Sequence, residues 1–125
     1  MNSRELIERY VQGWKRGDED VIISTLSPEC IITESHGPTY HGIEEVREWI
    51  REWNEAKNSV DTWDLILFKI ADQYVFFEWD FSCTVGDKQH YFLGASIAEI
   101  HNGKILELRE YRMTNKPIDQ RLLDL

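Results

Sequence analysis

Residues 73–84 (QYVFFEWDFSCT), 90–100 (HYFLGASIAEI) and 104–113 (KILELREYRM) decide the fold. Each run is rich in aromatic and β-branched residues with a period near two, and Gly86-Asp87 and Asn102-Gly103 between them are two-residue turn signals. Residues 63–70 form a fourth such run ahead of Ala71-Asp72. Short turns make successive strands antiparallel neighbours, so the second half of the chain reads as a meander of four long strands.

The first half has the period of helices. Between Asn2 and Gly17 the apolar residues Leu6, Ile7, Tyr10, Val11 and Trp14 form one stripe, Asn2 with Glu5 resembles a capping box, and Gly17 suits a left-handed stop. Asp18 caps a second, shorter helix carrying Val21, Ile22 and Leu26, which Pro28 is expected to end. A short strand follows over 30–34, then a loop over 36–42. A third helix spans 43–57 with Ile43, Val46, Trp49, Ile50 and Trp53 on its buried stripe. Its opposite face is a solvated charge run. Pro117 opens a last turn of helix with Ile118, Leu122 and Leu123, or the tail is an arm. Three N-terminal helices on a strongly curved, mainly antiparallel sheet make a cone-shaped α+β domain, expected to be a single domain over 1–125 with its core at about 4–114 and a tail at 115–125.

Composition narrows the function classes. The 125 residues are 42% hydrophobic and 30% charged, with a formal net charge of -9, a field that repels phosphate backbones and anionic headgroups. Nucleic acid and membrane are therefore not expected partners. The longest stretch free of Asp, Glu, Lys and Arg is the ten residues 89–98, where a membrane-spanning helix needs about 20. Arg4, Glu5, Glu8 and Arg9 stand where a signal peptide would have its apolar core, so a cytoplasmic location is expected. Cys30 and Cys83 form no metal-ligand or CxxC pattern and read as buried reduced thiols. His36 and His41 have poor spacing for a metal, and neither a metal site nor an organic cofactor is expected.

The element order, with a loop ending Tyr40-His41-Gly42 and late strands carrying Asn102-Gly103-Lys104-Ile105 and Leu108-Arg109-Glu110-Tyr111, resembles the nuclear transport factor 2-like superfamily, in its SnoaL-like (polyketide-cyclase-like) branch. Gly17-Asp18, His41-Gly42 and Glu78-Trp79 add to the resemblance, which covers about residues 4–114. It implies a pocket inside the cone. The relatives' strand orientation turns Glu110 and Arg112 inward, with Phe77, Trp79, Phe81 and Cys83 on the second long strand and Tyr91, Leu93, Ala95 and Ile97 on the third. Tyr10 and Trp14 close the pocket from helix one, and Trp49 and Trp53 from helix three.

Such a cavity suits a small apolar or aromatic molecule. Glu110 is the acid or base candidate because aromatic walls desolvate a carboxylate. Arg112, about 6–7 Å further along the same face, either pairs with Glu110 or, with Tyr10, stabilises developing oxyanion charge. His36 either borders the mouth as a second acid or base or is a loop hydrogen-bond partner. Related ketosteroid isomerases carry an aspartate base and an aspartate donor at positions that read here as Thr33 and Leu93, and Glu34 is expected on the opposite face unless a bulge re-aims it. The Asp-Arg-Asp set of related epoxide hydrolases finds a counterpart only in Glu110, since Trp79 and Phe81 occupy the other two positions.

Three functions stay open: a cofactor-independent isomerase, hydrolase or cyclase; a non-catalytic ligand-binding module; and a dimeric interaction protein with a filled core. The outer sheet face, read as Phe76, Phe92, Gly94, Ser96, Ala98, Tyr111 and Met113, is apolar enough to predict a two-fold homodimer.

Overall fold

The computed structural model describes residues 1–123, so the last two positions of the expected tail lie outside the described residues. Helix α1 (Ser3–Arg16) starts where the Asn2 side chain accepts a hydrogen bond from the Glu5 N–H and stops at left-handed Gly17. The Asp18 side chain caps α2 (Glu19–Ser24) by accepting from the Val21 N–H. This helix ends before Pro28 is reached. The Thr25 hydroxyl and N–H both turn back to the Ile22 carbonyl, and strand β1 (Leu26–Thr33) begins at once. Pro28 instead lies in the irregular stretch of β1 between Leu26 and Ile31, where a missing N–H costs no ladder bond.

Part of the expected loop is ordered as β2 (Thr39–His41), a short edge strand antiparallel to β1. Helix α3 (Gly42–Glu55) follows, its first turn tied down by the Glu45 carboxylate accepting from the His41 N–H. Its charged face is not wholly given over to solvent, because Arg47 and Arg51 converge on Glu19 at 3.1 and 2.9 Å and join α3 to α2. The meander is β3 (Ser59–Ala71), β4 (Tyr74–Val85), β5 (Lys88–His101) and β6 (Lys104–Arg112), and a short 3-10 turn (Gln120–Leu122) closes the described chain.

The six strands form one curved sheet in the order β2-β1-β6-β5-β4-β3, antiparallel throughout except for the parallel pair β1 and β6. Three helices cover its inner face. Ile7, Ile22, Ile32, Val46, Ile50, Val75, Phe77, Ala98, Ile105 and Leu108 pack the core at the end nearest the turns before β4 and β6. Among the described residues no helix is long and apolar enough to cross a membrane.

Register corrects one set of inward residues. Across the Gly86-Asp87 turn, Phe77 faces Ser96, Trp79 faces Gly94, Phe81 faces Phe92 and Cys83 faces His90. Residues directly opposite one another share a sheet face, so Phe92, Gly94, Ser96 and Ala98 point inward. Tyr91, Leu93, Ala95 and Ile97 point outward, the reverse of the expectation. Gly94 is required here: a Cβ would collide with the Trp79 indole and the Tyr111 carbonyl, so only glycine lets that ring lie against the strand.

Candidate functional site: an aromatic cavity with two carboxyl groups

Beyond the core, toward the Gly86-Asp87 turn, the space between α1, α3 and the inner sheet face holds a cavity of about 440 Å³. All five tryptophans of the chain line it: Trp14 from α1, Trp49 and Trp53 from α3, Trp63 from β3 and Trp79 from β4. The rings brace one another. Trp49 stacks on Tyr40 with centroids 4.2 Å apart, Trp63 meets Phe81 edge-on at 5.4 Å, and Phe81 stacks on Phe92 at 5.1 Å. Trp79 is oriented by its indole N–H, which donates to the Ser96 hydroxyl at 2.8 Å. The Nε1 atoms of Trp14 and Trp63 are buried and have no hydrogen-bond partner among the described residues.

Two carboxyl groups interrupt this apolar wall. Glu110 on β6 lies opposite inward-facing Ser96. Glu34 comes one residue after Thr33, which pairs with Arg109 on the parallel strand, and that register carries Glu34 to the same inner face as Glu110. The expectation that Glu34 points away is therefore corrected. Thr33, not Glu34, is on the outer face, because the irregularity in β1 shifts its alternation. Glu34 accepts a hydrogen bond from the Tyr40 hydroxyl at 3.1 Å, and His36 Nε2 is 3.7 Å from the same oxygen.

The electrostatics follow from enclosure. Burial, and then the charge of Glu34, push the Glu110 carboxyl up to about 8, so it carries its proton at neutral pH. Burial also raises Glu34, but His36 and the Tyr40 hydroxyl oppose that rise. The Tyr10 phenol is held neutral by burial and by both carboxyl groups. Arg112 makes no ion pair with Glu110. Its guanidinium lies over the Phe92 ring, 5.0 Å from the centroid.

The structure brings Tyr10, Trp14, His36, Trp49, Trp53, Trp79, Phe81, Glu110 and Arg112 to one cavity. Phe77 is not on its wall, being packed in the core beneath. Tyr91 and Leu93 are on the opposite sheet face, where the exposed Tyr91 donates its hydroxyl proton to Asp80. Sequence reasoning missed Glu34, Trp63, Phe92 and His90 as lining residues. The two-residue Gly86-Asp87 turn was the available signal for Phe92 and His90, since it fixes which residues of β5 share a face with Phe81 and Cys83.

Known proteins share this architecture. An LEH-like epoxide hydrolase from Mycobacterium tuberculosis superposes with a TM-score of 0.78 at 14% identity, covering 87% of this chain and 80% of that one. A candidate polyketide cyclase from Pseudomonas putida gives 0.78 at 18% identity, covering 91% and 93%. A protein of ketosteroid isomerase-like fold from Catenulispora acidiphila, solved with trimethylamine, gives 0.73 at 11% identity, covering 88% and 86%. Identities this low establish common fold alone. Among curated proteins none matches the chain in sequence. The family model for the SnoaL-like domain matches residues 7–108, and the chain belongs to that family.

Proposed function

We propose that the cavity binds a flat, apolar or aromatic small molecule and that Glu110 and Glu34 move a proton on it, making the protein a cofactor-independent isomerase, hydrolase or cyclase. The observation that carries this reading is Glu110, a carboxyl without a cationic partner among the described residues, set among aromatic rings near a second carboxyl just past the end of the neighbouring strand. Glu110 enters the reaction as an acid and donates to a ligand oxygen. Glu34, steadied by Tyr40 and His36, accepts the proton taken from carbon or water. Tyr10 and Arg112 provide donors for negative charge that develops on oxygen. The fold shared with an epoxide hydrolase and a candidate polyketide cyclase is consistent with such chemistry. A cavity of about 440 Å³ argues against the interaction protein with a filled core.

The test is a panel of small aromatic epoxides, enones and phenolic polyketides, with product followed by mass spectrometry. Glu110→Gln is expected to lower turnover of any accepted compound by at least about 100-fold while its binding holds, and Arg112→Lys merely slows it. Turnover by Glu110→Gln at the wild-type rate overturns the assignment. Binding without turnover by the wild-type protein leaves a non-catalytic ligand-binding module.

The outer sheet face is proposed as a homodimer interface. Leu67, Phe76, Tyr91, Tyr111 and Met113 are exposed there, with Leu93 and Ile97 between them, while Phe92, Gly94, Ser96 and Ala98 drop out of the expected patch. A monomer in sedimentation at micromolar concentration refutes this. Free, buried Cys30 and Cys83 fit a reducing compartment such as the cytoplasm.

A further inference from the structure

A second hollow of about 380 Å³ adjoins the aromatic cavity, and His90, Phe92 and Arg112 belong to the walls of both. Its chemistry differs. The remaining walls are formed largely by the segment just after β6, including Thr114, Asn115 and Lys116, and among the described residues no acidic one lines it. In a chain of net charge -9 this is a local reversal of sign. Arg112 and Lys116 have no carboxylate within ion-pair distance among the described residues. Each is held over an aromatic ring, Arg112 at 5.0 Å from the Phe92 centroid and Lys116 at 5.6 Å from the Tyr91 centroid. A guanidinium lying on a ring keeps its edge N–H donors free for a planar anion.

We propose that this hollow is an anion subsite and that the ligand is an aromatic acid, its ring body among the tryptophans and its carboxylate on Arg112 and Lys116. The inference rests on the cavity reading above and names the substrate class for that site. Two cations within a strongly acidic molecule suit one organic anion, since a polyanion would meet the repulsive field of the whole chain. Glu110, neutral at physiological pH, adds no repulsion along the route between the two hollows.

Two fluorescent probes separate the contributions. Anilinonaphthalene sulfonate and phenylnaphthylamine share a ring body, and only the first carries an anion. Every tryptophan lines the cavity, so shifts of the indole N–H resonances show that a probe sits there and not on the outer sheet face. The sulfonate is expected to bind at least about 10-fold more tightly than the neutral probe, despite the net charge of the protein. Lys116→Gln is expected to lower that preference about 3-fold, and Lys116→Gln with Arg112→Gln to abolish it. Both residues are exposed, so the variants retain the fold. Added salt weakens the sulfonate selectively. Equal affinity for both probes in the wild-type protein, or an equal loss of both in the variants, overturns the anion subsite and leaves the cavity reading standing. Failure of both probes to bind, with unmoved indole signals, overturns the two together.

Discussion

Replacing Glu110 with glutamine should stabilise the protein in alkaline solution and do little in acid. A carboxyl that titrates at about 8 in the fold and at its ordinary 4.5 in the unfolded chain holds its proton through a window in which the unfolded chain has released it. The native state therefore binds more protons than the unfolded state between those values, and stability falls as pH rises through the window. At ~1.4 kcal/mol per pH unit the ceiling on this loss is about 5 kcal/mol. Part of Glu110 faces the cavity, and water there solvates the anion, so about 2–4 kcal/mol is the expected loss at pH 9. Glutamine mimics the protonated side chain and does not titrate. The stability difference between Glu110→Gln and wild type should be within about 1 kcal/mol at pH 5 and grow to about 2–4 kcal/mol in favour of the variant at pH 9. Cys30 and Cys83, which also have raised values, are present in both proteins and cancel. Tyr10, raised by burial and in part by the Glu110 charge, keeps its proton in both folded proteins at pH 9, below the ordinary phenol value of about 10, and adds little to the difference. Urea unfolding followed by tryptophan fluorescence reads this as a midpoint increase of about 1–2 M at pH 9. A difference that is flat with pH, or that favours wild type at pH 9, refutes the burial of a neutral acid at this position.

Two other changes probe the same architecture. Glu34→Gln removes the charge that helps hold the Glu110 proton, so Glu110 should titrate at lower pH in the variant, as read from its side-chain carboxyl carbon by NMR; an unchanged or higher value contradicts the shared inner face of Glu34 and Glu110. Gly94→Ala places a methyl group against the Trp79 indole and the Tyr111 carbonyl, and an overpacking loss of about 1–3 kcal/mol is expected in chemical denaturation, whereas a neutral effect would show that β5 has room the register denies it.

The helices were legible because their signals are local. The Asn2 and Asp18 caps and the stripe from Leu6 to Trp14 depend on neighbours three or four residues away, and α1 formed within one residue of its expected bounds. The four long strands were legible for the same reason, through their turns. Resemblance, not alternation, turned Glu110 inward, and alternation could not have done so. Neither face of residues 104–113 is cleanly apolar because β6 does not alternate regularly: Glu99 pairs with Glu107 and Ile100 with Ile105, which leaves Leu106 as an extra residue. That extra residue lets Ile105 and Leu108, of opposite parity, both be fully buried. A regular strand counted from buried Ile105 would turn Leu108 and Glu110 outward.

The same device recurs in β3, where pairing shifts between Val60 and Thr62 and again between Leu65 and Leu67. Trp63 and Phe68 thereby reach one inner face from odd and even positions, while Ile66, the extra residue of the second shift, is 56% exposed. Bulges of this kind curve a sheet, and a curved sheet leaves space that helices do not fill. The irregularities that hid Trp63 and Glu34 from a reading of alternation thus belong to the geometry that produces the cavity. Parity offered a way to find them. The Gly86-Asp87 turn puts even-numbered residues of β5 inward with Phe81, and a regular Asn102-Gly103 hairpin would then put odd-numbered residues of β6 inward. An inward Glu110 contradicts that count by one residue, and one bulge between the two turns is the smallest change that reconciles them.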